Sequence, residues 1–190
     1  MPILPAVIGE DFPAVLAAAQ EGGEVAFSAL YRDCTPDLLR YLWVAAPGAA
    51  EDVAAETWVQ ICRGLRSFRG DESAWRSWLF TVARRRAIDE SRRRSRHPIA
   101  PLDDLPPAQE PASADAEALA LEHLATAAVV NAVRELPPLQ AEVILLRMLA
   151  GLDNETVAQM VGRSPGAVRV AAHRGLRRLA QILSPAGVTP

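Results

Sequence analysis

The sequence lacks lysine altogether, so all twenty of its basic side chains are arginine, and it carries few groups suited to catalysis or metal binding. The three histidines, His97, His123 and His173, lie far apart, and neither a nucleophile elbow nor a phosphate-binding loop is present. Cys34 and Cys62 lack CxxC spacing and nearby histidines, which favours buried free thiols over a disulfide or a metal site. We therefore expect no enzyme, no bound metal and no cofactor.

Long hydrophobic runs are also missing. No stretch of about eighteen consecutive apolar residues occurs, which argues against a membrane span, and no basic leader precedes an apolar segment at the N-terminus. The apolar fraction of 50% is nevertheless enough to build a core. The length of 190 residues fits two helical domains of about 70–80 residues each. We expect a cytoplasmic protein.

The charges are distributed in alternating blocks, although the net charge is only −3. The balance is −7 over residues 1–60, +7 over 61–102, −7 over 103–142 and +4 over 143–190. Such blocks predict separate surfaces for partners of opposite charge. Because the positive blocks consist of arginine, their planar guanidinium groups suit bidentate contacts to phosphate and guanine.

The spacing of apolar residues predicts helices throughout and no strand of useful length. Pro13, Pro36 and the Pro47–Gly48 pair are expected to separate the first helices. Further along, the pattern predicts a helix over 49–65, a loop over 67–73 and a long helix over 74–94. The fold class is therefore all-α.

Five prolines fall within residues 95–116, which is typical of a flexible, extended linker. It divides the chain into predicted domains over 10–96 and 117–184, with the linker over 97–116.

The end of the second domain shows the pattern of a helix-turn-helix. Asp153 is placed to cap a short helix, Gly162 makes a turn, and Pro165 opens a last, basic helix. The predicted buried stripe of that helix is Val168, Ala172, Leu176, Leu179 and Leu183. Two groups of residues are predicted to bind DNA. Those placed to approach base edges are Arg163, Ser164, Gly166 and Arg169. Further along the helix lie His173, Arg174, Arg177 and Arg178, and these three arginines suit contacts to phosphate. The alternative is an amphipathic helix with a solvated basic face, which the preceding short helix and turn disfavour.

A second basic segment, residues 83–96, contains seven arginines in fourteen positions. Alone it would be typical of a solvated helix end. The aromatic residues before it suggest binding of single-stranded nucleic acid, which combines positive charge with rings on which bases stack. Phe68, Trp75 and Trp78 are candidate stacking rings, of which one exposed ring would suffice, although Trp78 is expected to pack in the core.

The helix ahead of it is acidic and apolar, and cannot favour DNA. It is either an ordinary surface helix or a protein-docking surface, in which case Asp52 and Glu56 contribute charge and Trp58 is the anchor.

Two segments resemble a known family. AEDVAAETWVQICRGLRSFRGDESAWRSWLFTVARRRAIDESRRR (50–94) is similar to region 2 of the extracytoplasmic-function (ECF) σ factors of bacterial RNA polymerase. LPPLQAEVILLRMLAGLDNETVAQMVGRSPGAVRVAAHRGLRRL (136–179) is similar to their region 4. The order of the regions and the linker length agree with this family.

The resemblance implies partners and roles. The acidic helix would dock on the β′ clamp helices of core RNA polymerase, region 4 would also meet the β flap, and an anti-σ factor would mask both regions. Region 4 would read the −35 element as duplex. Region 2 would capture a flipped −10 base and its strand, using Phe68, Arg69, Asp71, Trp75, Arg76, Arg84, Arg85, Arg86, Arg92 and Arg93.

The chain departs from the family pattern at a few positions. Ala55 replaces a usual glutamine, Arg85 a usual asparagine, and Val170-Ala171-Ala172 a usual Ser-Arg-Leu. Gly175 lies inside the last helix at a cost of about 0.5–1 kcal/mol relative to alanine. The competing hypothesis is a helix-turn-helix regulator that binds an operator, which leaves the basic helix and the acidic helix of the first domain without a role.

Overall fold

The computed structural model describes residues 8–96 and 127–184, and every regular element in these two ranges is helical. The prediction of an all-α fold is thus confirmed. The helices are α1 (Phe12–Gln20), α2 (Glu24–Ala45), α3 (Ala50–Gly64), α4 (Glu72–Arg96), α5 (127–134), α6 (Pro138–Met148), α7 (Asn154–Val161) and α8 (Pro165–Leu183). Short 3-10 turns occupy Gly9–Asp11 and Leu65–Ser67.

Helices α1–α4 form the N-terminal domain around one apolar core. The stripe of α2 contributes Leu30, Leu38 and Leu42, all fully buried, and α4 contributes Leu79 and Phe80. In α2 the buried positions 30, 34, 38 and 42 recur at the four-residue steps of an amphipathic helix, so the periodicity seen in the sequence corresponds to its buried face.

Pro36 does not end a helix, contrary to our prediction. It lies inside the continuous helix α2, on its exposed side. Proline removes one backbone donor and normally disrupts a helix interior. Here the buried leucines on both sides of Pro36, Leu30 before it and Leu38 after it, hold the helix together across it.

The C-terminal domain contains the helix-turn-helix, and its local signals act as the sequence predicts. Asp153 accepts a hydrogen bond from the Thr156 N–H at 2.7 Å, which caps α7 and lowers the pKa of the Asp153 carboxyl. Gly162 has a left-handed φ of +67°, which favours glycine, and it ends α7. Ser164 accepts from the Ala167 N–H at 3.2 Å, and Pro165 begins α8.

The predicted linker, 97–116, and the predicted start of the second domain, 117–126, lie outside the described residues, so the domain boundaries stay a prediction. The described parts of the two domains contact each other through α2 and α6. Within these parts, no helix is both long and apolar enough to cross a membrane.

The two cysteines differ in environment. Cys34 is buried, as predicted, and burial raises the pKa of its thiol to about 12. Cys62 is exposed on α3, so the prediction of a buried thiol is wrong there. No group of side chains in residues 8–96 and 127–184 has the arrangement of a metal site.

Candidate nucleic-acid interface

Helix α8 presents a long basic face to solvent. Its buried residues, Val168, Ala171, Ala172 and Gly175, all point towards the other helices of the domain. The predicted DNA-binding residues of this region are all exposed: Arg163, Ser164, Gly166, Arg169, His173, Arg174, Arg177 and Arg178. Within the described parts of the chain, none of these arginines forms an ion pair, so their charge is directed at solvent.

The buried stripe of α8 differs from the predicted one. Leu176 and Leu183 are each 44% exposed, so these two assignments are wrong. Next to Leu176, Gly175 faces α6: a Cβ atom there would lie only 2.6 Å from Cδ1 of Ile144. Because the glycine lets the two helices approach closely, α8 turns Gly175 inward and Leu176 towards the edge of the interface.

The loop between α3 and α4, residues 65–71, is held at both ends. The Asp71 carboxylate accepts from the Ala74 N–H at 2.8 Å, which caps α4. On the other side, the Gln20 amide donates to the carbonyls of Leu65 and Phe68, at 2.9 and 2.8 Å. Sequence reasoning missed Gln20, because no local pattern links a residue of α1 to a loop more than forty positions away.

The three aromatic residues proposed as stacking rings differ in their exposure. Trp75 is only 1% exposed and is surrounded by Phe12, Trp58 and Phe68, with ring centroids 6.4, 6.5 and 5.6 Å away, so it is a core residue and not a stacking surface. Trp78, predicted to be core, is only half-buried. Its ring stacks on Phe68 with centroids 5.2 Å apart and an interplanar angle of 10°.

Arg76 is held inside the protein rather than offered to DNA. Its guanidinium lies 3.0 Å from Asp33, 3.5 Å from Glu72 and 3.7 Å from Asp37, and its side chain is 13% exposed. A charge surrounded by three carboxylates is already compensated. The prediction that Arg76 contacts the −10 strand is therefore not supported by its position; it ties α2 to α4.

Several other arginines predicted to bind the −10 strand are exposed, and some of them form ion pairs or hydrogen bonds with nearby residues. Arg85, Arg92 and Arg93 are exposed, and within residues 8–96 and 127–184 Arg92 and Arg93 form ion pairs only with Asp89 and Glu90 of their own helix, at 3.9 and 2.7 Å. Arg69 is exposed, but its guanidinium donates to the carbonyls of Arg66 and Phe68 at 2.9 and 2.6 Å.

Two further arginines of α4 reach other helices. Arg86 donates to Gln60 at 3.0 Å and lies 3.3 Å from Glu56, both on α3. Arg84 pairs with Glu142 of α6 at 2.7 Å, so in the free chain it contacts the C-terminal domain.

The outer face of the first half of α3 is acidic, and Val59 is the large apolar side chain exposed on this helix. Asp52 and Glu56 are exposed, as is Val59 at 49%. Trp58 is only 5% exposed, so it cannot be the docking anchor that we predicted. It packs against the ring of Tyr31 at 4.9 Å, and Tyr31 itself is 42% exposed, so it provides the accessible aromatic ring beside this face.

Comparison with known proteins identifies both domains. The model of Sigma-70 region 2 matches residues 30–97, and the model of Sigma-70, region 4, matches residues 126–179. The chain is 33% identical over 187 residues to the ECF RNA polymerase sigma factor SigD of Mycobacterium tuberculosis, a match that covers 94% of this chain and 87% of SigD. The chain belongs to the ECF σ factors of bacterial RNA polymerase.

Another relative and a solved structure agree with this family. The chain is 30% identical over 167 residues to the ECF RNA polymerase sigma factor BldN of Streptomyces coelicolor, covering 87% of this chain but only 63% of the length of BldN. The structure of the sigma factor RpoE from Bartonella quintana in complex with the anti-sigma factor NepR has the same fold. Its TM-score is 0.63 at 20% identity, and the match covers 85% of this chain and 98% of that one.

In this ECF σ factor the two Sigma-70 regions therefore carry two different basic surfaces. That of region 4 is a convex helix face with exposed arginines. That of region 2 consists of the basic helix α4, an aromatic pair (Phe68 and Trp78) and a capped loop, with several of its arginines already paired. These differences in shape and accessibility decide what each surface can bind.

Proposed function

We propose that this chain binds core RNA polymerase and directs it to promoters that have separate −35 and −10 elements. The observation that carries the proposal is the presence, in one ECF σ chain, of a basic helix-turn-helix and of a second basic helix preceded by an aromatic loop. An operator-binding regulator would need only the first of these surfaces. The role is non-catalytic, and its place is the cytoplasm, where core polymerase is found.

The surface of region 4 suits duplex DNA. A recognition helix enters the major groove with its first turns, which here carry Gly166 and Arg169, and Arg163 lies in the turn directly before the helix. Arg174, Arg177 and Arg178 follow on later turns and are positioned for phosphates on either side. This surface reads the −35 element.

The surface of region 2 suits a single strand. The stacked, nearly parallel rings of Phe68 and Trp78 offer a platform for an unstacked base, and Arg85 adds an exposed positive charge further along α4. Flipping a base out of the duplex costs a few kcal/mol, which stacking and phosphate contacts offset. This surface holds the −10 strand as the promoter opens.

The acidic face of α3 is the proposed docking surface for the β′ clamp helices, while the C-terminal domain contacts the β flap. Asp52 and Glu56 provide negative charge, and Val59 with Tyr31 provides the apolar part that we first assigned to Trp58. Charged residues at such an interface steer association, whereas partly exposed apolar and aromatic residues supply most of the affinity.

An anti-σ factor is the further partner that we propose. The Bartonella quintana relative in fold is bound to the anti-sigma factor NepR. In the present chain the exposed arginines of α8 and the acidic face of α3 offer surfaces of opposite charge to one inhibitor. Such an inhibitor would block polymerase docking and DNA reading together.

Capture of purified core polymerase by the immobilised chain tests the docking surface. The wild-type chain should retain polymerase, and Asp52→Arg should lower its affinity at least roughly tenfold, as expected for a reversed interface charge. Glu21→Arg makes the same charge change at an exposed residue of the N-terminal domain away from α3, and should capture polymerase like the wild type. If Asp52→Arg captured polymerase as well as the wild type does, α3 would not be part of the interface. If the wild-type chain captured no polymerase, the proposed σ function would be refuted.

A further inference from the structure

Val170 is an apolar side chain in the middle of the basic face of α8. It is 49% exposed, although valine is usually buried. The buried residues of the helix are Val168, Ala171, Ala172 and Gly175. At about 100° per residue, Val170 points nearly opposite to them, and so directly away from the domain.

The neighbours of Val170 on the helix surface are small or basic. Gly166 lies one turn before it, and His173 and Arg174 lie one turn after it, all exposed. Side chains three and four positions apart are adjacent on a helix. Val170 therefore occupies an apolar spot enclosed by groups that bind DNA.

Gly166 is not required by the fold. A Cβ atom added there would meet nothing within 4 Å, in contrast to Gly175, where it would collide with Ile144. Gly166 lies in the first turn of α8, and because it has no side chain, a ligand can approach the helix backbone closely there. It leaves space beside Val170 for the edge of a base pair.

We propose that Val170 contacts the 5-methyl group of one thymine in the −35 element and so determines specificity at that position. The major groove presents this methyl group only at thymine, and apolar side chains are its complement. The small Gly166 allows the first turn of α8 to come close enough for the contact. The inference rests on the proposed function, because it takes the face of α8 to be the −35 reader.

A lone exposed valine is by itself ordinary on a protein surface. Three features separate Val170 from that case: it points directly outward, it is flanked by Arg169 and Arg174, and it follows a glycine that the fold does not need. Val129, exposed to 42% in the same domain, has no such surroundings and provides a matched control.

The experiment is selection of promoters by the reconstituted holoenzyme from a library with a constant −10 element and a randomised −35 segment. The library is amplified either with thymidine triphosphate or with deoxyuridine triphosphate. The resulting thymine and uracil bases differ only in the 5-methyl group. The wild type should prefer thymine at one −35 position, and this preference should fall about fourfold in the uracil library, the value of one methyl group leaving an apolar contact.

The variants separate the possible outcomes. Val170→Ala should lose the methyl-dependent preference at that position and retain the preferences at others, and Val129→Ala should select like the wild type. Gly166→Ala should fold normally and weaken selection of the whole −35 segment. If Val170→Ala keeps the methyl-dependent preference, or if the wild type ignores the methyl group, the inference is overturned while the proposed function stands. If the wild-type holoenzyme selects no −35 sequence, both are overturned together.

Discussion

Arg84 of region 2 and Glu142 of region 4 form an ion pair, with Nε of the arginine 2.7 Å from Oε1 of the glutamate. Both side chains are about three-quarters buried, at 24% and 26% exposure, and they lie beside the buried Tyr41, whose pKa is raised by burial and by Glu142. Arg134 provides a second link, donating to the Trp43 carbonyl. In the free chain, an arginine proposed to hold the −10 strand is thus neutralised by the other domain.

This ion pair should lower the affinity of the free chain for single-stranded DNA. Glu142→Gln releases Arg84, so binding of an oligonucleotide with the −10 sequence should strengthen, most clearly at low salt. The slope of log K against log salt should steepen by roughly 0.7, the value of one added phosphate contact on a single strand. Fluorescence anisotropy over a salt series measures both quantities.

Glu135→Gln is the control for this prediction. It removes the same charge from an exposed residue of the same domain that makes no ion pair within residues 8–96 and 127–184. If the affinity for the −10 oligonucleotide rose equally in both variants, the cause would be the change in net charge and not the release of Arg84.

The loop of region 2 should depend on Gln20. Gln20→Glu keeps the shape of the side chain but replaces the amide donor by a carboxylate that repels the Leu65 and Phe68 carbonyls. We expect slower opening of the −10 region, followed by fluorescence of 2-aminopurine in the promoter, and a loss of stability of about 1–3 kcal/mol. Core polymerase should still bind, because the loop lies apart from the acidic face of α3; unchanged opening kinetics would exclude this positioning role.

Replacing Gly175 should destabilise the C-terminal domain. Gly175→Ala improves helix propensity by about 1 kcal/mol, but its Cβ would lie 2.6 Å from Ile144 Cδ1 and 3.1 Å from Gln140 Cβ. Overpacking of this kind costs about 1–3 kcal/mol, so urea unfolding should show a net destabilisation. Gly166→Ala places its Cβ atom in open space and should leave the free energy of unfolding unchanged or slightly raised. If Gly166→Ala lowered this free energy as much as Gly175→Ala does, the packing argument would be contradicted.

Arg76 should act on stability rather than on DNA. Arg76→Ala leaves Asp33, Asp37 and Glu72 close together without their cation. Because this cluster is only partly desolvated, we expect a loss of about 1–3 kcal/mol in unfolding free energy. Arg92→Ala removes an arginine that is 71% exposed and should change stability by less than about 0.5 kcal/mol. If Arg76→Ala instead keeps its stability and loses −10 binding, the original assignment of Arg76 to DNA is restored.

Local signals in the sequence predicted the architecture well. The caps at Asp153 and Ser164 and the turn at Gly162 involve residues only a few positions apart, so their physical chemistry is readable from the sequence. Pro36 shows the limit of such signals, since buried leucines on both sides of it outweigh the local cost of a proline.

The accessibility of the site residues was harder to predict, because it depends on contacts between distant helices. Trp58 lies on the inward stripe of α3 with Ala54 and Ile61, a spacing that could have revealed its burial. The contacts of Arg76 with Asp33 and Asp37 and the approach of Ile144 to Gly175 join different helices, so no periodicity links these pairs. The arginine-rich composition thus indicated DNA binding, but not which arginines are free to bind.

The central claim is that the two basic surfaces act on one promoter through polymerase. Transcription by purified core polymerase from a pool of genomic fragments tests this claim most directly. Three reactions are compared: polymerase with the wild-type chain, polymerase with the Asp52→Arg variant, and polymerase alone. We predict run-off transcripts from a defined set of promoters only with the wild-type chain, and loss of those transcripts when either the −35 or the −10 element is changed. Tight, sequence-specific binding of the free chain to duplex DNA, without any promoter-specific transcription, would contradict the account and favour an operator-binding regulator.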